Sequence, residues 1–104
     1  KIETAWLLAN GILDRCEKHP KSVKFTLSQK IINISLEITE TLIIAIYEKD
    51  KKEHLKKINI SVEILRVFFR ISFTRKYITI KQYEFISKEL NEFGAMIGGW
   101  IKIL

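Results

Sequence analysis

Three observations predict an all-α fold, an antiparallel up-down-up-down four-helix bundle. Apolar residues recur at alternating steps of three and four through four separate segments of the 104-residue chain. Turn formers are scarce, four Gly and one Pro, whereas a β-sandwich or barrel needs a turn signal about every 8–12 residues. The single cysteine, Cys16, cannot close an internal disulfide, so the fold must rest on a packed core. Roughly 100 residues suffice for one such core, and the expectation is a single domain over 1–104.

In the first segment, expected helical over 1–17, Ile2, Ala5, Ala9, Ile12 and Cys16 share one face while Glu3, Asn10, Asp14 and Glu17 take the other. Pro20 ends the pattern. Thr26-Leu-Ser-Gln29 has capping-box spacing, a hydroxyl for the third amide and a Gln reaching back, which predicts a helix over about 26–48. Leu27, Ile31, Ile34, Ile38, Leu42 and Ala45 form its seam. After the polar turn Glu48-Lys-Asp-Lys-Lys-Glu53, a third helix over about 51–74 carries Leu55, Ile58, Val62, Leu65 and Phe69. A second capping box, Thr79-Ile-Lys-Gln82, opens the fourth, about 79–102. There Tyr83, Ile86, Leu90, Phe93, Ile97 and Trp100 keep the alternation, which continues to Leu104.

A strand reading competes at two places. Ile32-Asn-Ile-Ser-Leu-Glu-Ile38 and Ile58-Asn-Ile-Ser-Val-Glu-Ile64 alternate apolar and polar residues, and β-branched side chains favour strands. The helical spacing runs well beyond each heptapeptide, however, and no hairpin turn divides them. Length therefore decides for helix.

The third helix carries more apolar surface than a small bundle can hide. Ile60, Ile64, Val67 and Ile71 form a second stripe with Phe68 beside it, and only Lys52, Lys56, Asn59, Glu63, Arg66 and Arg70 separate it from the first. A helix apolar over most of its circumference is packed on more than one side, which points to a homo-oligomer.

Catalytic and metal constellations are lacking in the pattern. His19 and His54 stand at no ligand spacing from each other or from Cys16, and no phosphate loop or nucleophile elbow is present. Glu37 and Glu40 share a helix face, which reads as solvated surface. No catalytic residue, metal or cofactor is expected, and the chain does not read as an enzyme. The longest strictly apolar run, Leu42 to Tyr47, falls far short of the ~20 residues of a spanning helix, and membrane-surface association is disfavoured because every apolar stripe has a use in the bundle or oligomer.

Charge is the informative quantity. Eighteen Lys and Arg against twelve Asp and Glu leave +6. Residues 15–30 hold Arg15, Lys18, Lys21, Lys24 and Lys30 against Glu17, a net +4. Residues 66–81 hold Arg66, Arg70, Arg75, Lys76 and Lys81 with no acid, +5, and residues 49–57 add +3. Arg66 and Arg70 lie one turn apart, two guanidinium forks on one face that suit phosphate or carboxylate. Two readings stand for them: a nucleic-acid backbone site, whose affinity comes from counterion release, or pairing with Glu across an oligomer interface. Gly94 and Gly98, four apart, present a smooth strip for close helix packing beside Gly99 and Trp100, at a cost of up to ~1 kcal/mol per glycine.

Read together, Pro20-Lys-Ser, Phe25-Thr-Leu27, Leu65-Arg66 with Arg70, Gln82-Tyr83 and the closing Gly94-x-x-x-Gly-Gly-Trp-Ile-Lys102 carry a resemblance. The chain resembles the accessory variability determinant (Avd) family of diversity-generating retroelements from about Lys18 onward. Lys24 stands where that family commonly has an arginine, and Ala95 where it often has a basic residue. The resemblance implies a four-helix bundle assembled as a positively charged, pentameric barrel. It also implies a non-enzymatic, cytoplasmic partner of the retroelement reverse transcriptase that binds template-repeat RNA or other nucleic acid during mutagenic copying. Arg66 and Arg70 match basic positions on the face that meets the reverse transcriptase, and Arg75, Lys76, Lys21, Lys24 and Lys30 complete the candidate binding set. Phe68, Gly94, Gly98, Gly99 and Trp100 are the candidates for oligomer or close helix packing. A sister group encoded by ribosomal-RNA intervening sequences is the alternative, together with a protein-interaction scaffold that binds no nucleic acid. That sister group usually has a small-residue break in the second helix, which Ile31 to Tyr47 lacks.

Overall fold

A computed structural model describes residues 2–104, and Lys1, which the expected first helix included, lies outside them. Four helices account for most of this chain, and no strand occurs among the described residues. They are α1 (Ile2–Glu17), α2 (Gln29–Tyr47), α3 (Lys52–Thr74) and α4 (Ile80–Lys102), and the two alternating heptapeptides lie wholly inside α2 and α3. The molecule measures 42 × 23 × 20 Å. Helix α2 packs on α1 and α3, and α4 packs on α3 and α1, which closes the bundle around one core.

The seams set by sequence spacing supply that core. Ile12, Ile31, Leu42, Leu55, Leu65, Phe69, Ile86, Leu90 and Ile97 are fully buried. At ~1.5–3 kcal/mol for each fully buried large side chain, these residues dominate the driving force. Phe73 of α3 stacks on Tyr83 of α4 with centroids 4.8 Å apart, fixing one end of that helix pair. The α4 seam stops short of its expected end. The helix terminates at Lys102, and Ile103 and Leu104 are exposed.

The two expected capping boxes part company. At Thr79 the box is complete: Gln82 N–H donates to the Thr79 hydroxyl at 3.2 Å, and Thr79 N–H donates to the Gln82 carbonyl oxygen at 2.8 Å. At Thr26 it does not form. A cap needs an extended backbone ahead of the first helical turn, but the chain is already helical there, as a 3-10 turn (Lys21–Val23) running into a π turn (Lys24–Ser28). The Thr26 hydroxyl instead donates back to the Val23 carbonyl at 3.3 Å. The regular helix α2 therefore begins at Gln29, three residues after Thr26.

Candidate nucleic-acid interface

The site is built at one end of the bundle, where α1 runs into the turns before α2. There 3-10 and π turns take the place of a regular α-helical ladder, and a histidine holds the corner. Buried His19 has Nδ1 2.8 Å from the Arg15 carbonyl and Nε2 2.8 Å from the Ser72 hydroxyl in α3. A carbonyl only accepts, so Nδ1 donates to Arg15, while the Ser72 hydroxyl, which can donate or accept, is hydrogen-bonded to Nε2. The His19 ring also lies 5.7 Å from that of Tyr77, just beyond α3. On the other side, the Arg15 guanidinium stands 5.3 Å over the Phe85 ring of α4.

These contacts have an electrostatic consequence. They bring the α1–α2 connection, the end of α3 and the start of α4 to the same end of the molecule. Segments 15–30 and 66–81, net +4 and +5, thereby become neighbours, and the other 72 residues sum to −3. The two most positive segments of the chain thus meet at one end, and such a concentration of charge attracts polyanions over several ångströms of solvent.

The individual candidates differ in their surroundings. Lys21, Lys24 and Lys30 are exposed on the connection and the first turn of α2. Lys21 and Lys24 line a cavity of about 340 Å3 together with Glu17, Ser28, Gln29 and Ile32. Arg75 and Lys76 are exposed at the end of α3. Lys76 has φ 63°, with its N–H donating to the Phe73 carbonyl and that of Tyr77 to the Ser72 carbonyl at 2.9 and 2.8 Å. This is the double bond pattern of a Schellman cap, with lysine where glycine is usual. Arg66 is ion-paired with Glu63 of its own helix and donates through Nε to Asn91 of α4 at 2.9 Å. Arg70, one turn on, is exposed.

The packing candidates also divide. A Cβ on Gly94 would stand 3.1 Å from the Arg66 guanidinium and 3.6 Å from Val62, and one on Gly98 would stand 3.8 Å from Asn59. Both glycines thus face α3 of the same chain. Gly99 is exposed, and a Cβ there would meet nothing within 4 Å. Phe68 and Trp100 are half-buried against the core. The second stripe of α3, Ile60, Ile64, Val67 and Ile71, is exposed at 39–63%, and Ile60, Ile64, Val67 and Phe68, with Glu63 at the edge, line a shallow hollow.

Sequence reasoning misses three groups. Ser72 falls on the α3 seam seven residues after Leu65, and a hydroxyl at a core position is the signal that a polar partner is buried there. Lys51, one of the 49–57 cluster, donates to the carbonyls of Ala45, Ile46 and Glu48 at 2.9, 2.9 and 2.7 Å. It closes the end of α2, where a cation opposes the helix dipole. Lys57 pairs with Glu37 across α2 and α3 at 3.2 Å, so part of that third cluster is consumed internally. Cys16 is buried, and desolvation pushes its thiol up to about 12.

Among the described residues no group of three or more His, Cys, Asp or Glu is placed to hold a metal ion, and no helix is long and apolar enough to cross a membrane. The arrangement is that of an all-helical protein with a cationic end and an uncovered apolar stripe. A family model described as bAvd-like matches residues 3–104, and the chain belongs to that family. No curated protein and no solved structure matches it.

Proposed function

We propose that this protein is the non-enzymatic accessory subunit of a diversity-generating retroelement. In this reading its basic end binds the template-repeat RNA and the reverse transcriptase during mutagenic copying. The observation that carries the reading is the convergence of segments 15–30 and 66–81 at one end through His19 and Ser72. Membership of the bAvd-like family supplies the biological setting. Phosphate contacts from lysine and arginine side chains position a nucleic-acid backbone without reading its sequence, which suits a subunit that assists copying and leaves template choice to another component.

The proposed assembly is a homopentameric barrel of antiparallel up-down-up-down bundles. Supporting it is the exposed α3 stripe, since a contiguous apolar surface on a charged protein marks an interaction face. Arg70 lies on the same helix as that stripe, next to Arg66, so the partner surface and the assembly surface share α3.

Co-expression with the reverse transcriptase of the same element tests the reading: the two co-purify and make cDNA together. Arg70→Glu weakens partner or RNA binding and leaves the oligomer intact. Adding Arg66→Glu to it deepens the loss. If the substitutions dissolve the assembly instead, the arginines are subunit-interface groups and the assignment of α3 as the partner face fails.

A further inference from the structure

Phe25 is 81% exposed, in a position where burial offers it nothing. It stands in the π turn Lys24–Ser28, and no other large apolar side chain of residues 18–30 is exposed. It is therefore not part of the apolar stripe that a second copy would cover. Its surroundings are cationic: the Lys24 ammonium lies 5.5 Å from the ring centroid. Lys24 also lines the 340 Å3 cavity with Lys21, and this cavity has apolar walls at Cys16, Pro20 and Ile32 and polar groups at Glu17, His19 and Gln29. Ser28, which lines it too, is only 4% exposed and its hydroxyl has no partner.

A flat, exposed aromatic ring beside a lysine matches one kind of ligand well. An apolar protein surface would want neighbouring exposed apolar side chains, and residues 18–30 offer no large one besides Phe25. A single nucleic-acid strand offers a base to stack and phosphates on either side for the cations. A duplex offers only phosphates, because its base faces are already stacked on one another.

We propose that Lys24–Phe25 is a stacking site for one unpaired base, with the flanking phosphates held by Lys21 and Lys24 and the next nucleotide entering the cavity beside Ser28. The inference rests on the reading of the basic end as a nucleic-acid interface. It adds that this interface selects single strands over duplex.

The test measures binding of an unstructured single-stranded RNA and of a blunt RNA duplex of equal length, each across a range of salt. Phe25→Ala lowers single-strand affinity by roughly tenfold, the loss of one stacked base, and leaves duplex affinity and both salt slopes unchanged. Phe25→Trp retains the wild-type preference and shows that the ring is what matters. Circular dichroism checks the fold, which this exposed position does not support. Wild-type single-strand affinity in Phe25→Ala, or equal loss for both RNAs, overturns the stacking site and leaves the basic-end reading standing. Failure of the wild-type protein to bind either RNA overturns both.

Discussion

His19 Nε2 lies 2.8 Å from the Ser72 hydroxyl, and this one bond joins positions 53 residues apart. It docks the α1–α2 connection onto the end of α3, and so it sets two like-charged segments side by side. Packing cationic segments together costs electrostatic energy. A buried hydrogen bond and the core beneath it hold them there, and the resulting field is available for a polyanion.

Removing that bond has a defined cost. His19→Ala leaves the buried Ser72 hydroxyl without its partner, while the Arg15 carbonyl keeps the Lys18 N–H, and about 1–3 kcal/mol of stability is lost. Ser72→Ala removes only one of the two bonds and costs about 1 kcal/mol. Urea unfolding followed by circular dichroism measures both. A His19→Ala protein as stable as wild type would show that the corner is held by packing alone.

Lys76 occupies left-handed backbone, φ 63°, which costs a residue with a Cβ about 1–2 kcal/mol relative to glycine. Lys76→Gly therefore raises stability by about 1 kcal/mol, roughly 4–8 °C in Tm for a domain of this size. Lys76→Ala keeps the Cβ and gives no such gain. RNA affinity falls in both variants, because each loses the same charge. This pairing of higher stability with weaker binding separates the cap from the interface role, and thermal unfolding beside RNA titration reads both.

Burial of the Cys16 thiol gives a pH signature. Its folded value is pushed up to about 12 by desolvation, whereas the unfolded thiol ionises near its ordinary value of about 8.5. Between those values the unfolded chain has released a proton that the folded protein still holds. Stability contributed at this site is thus complete below about pH 8.5 and lost as pH rises toward 12. Cys16→Ala removes this component, so the stability difference between wild type and variant narrows above about pH 9. In the native state at about pH 8 the thiol also resists alkylation and reacts only on unfolding.

Much of the fold could be read from spacing because helical seams are local. Leu55, Ile58, Val62, Leu65 and Phe69 repeat at steps of three and four, and all five are buried. The start of α2 escaped because a capping box describes a helix entered from extended chain, and Pro20 instead leads into 3-10 and π turns. The basic end was legible as two segments but not as one surface. Its junction depends on His19 meeting Ser72, a pairing that no local pattern encodes. Lys51 looked like one more surface cation because its three carbonyl acceptors become available only when α2 ends at Tyr47. Sequence leaves Arg66 open between a ligand and a Glu of another subunit, because its partner Asn91 requires α4 to lie alongside, over Gly94, while Glu63 pairs with it from the preceding turn of its own helix.

The central claim is that the positive end of the bundle is a nucleic-acid interface, and one salt titration tests it most directly. Single-stranded RNA binding is compared for wild type, for Lys21, Lys24, Arg75 and Lys76 all reversed to Glu, and for a control with Lys49 of the α2–α3 turn and Lys52 at the start of α3 reversed. Wild-type affinity falls steeply with salt. The four-site reversal at the basic end flattens the slope of log K against log salt by about three, at ~0.7 for each phosphate that is no longer neutralised. The control leaves that slope unchanged. Binding that ignores salt, or equal weakening by both sets of reversals, would contradict the claim.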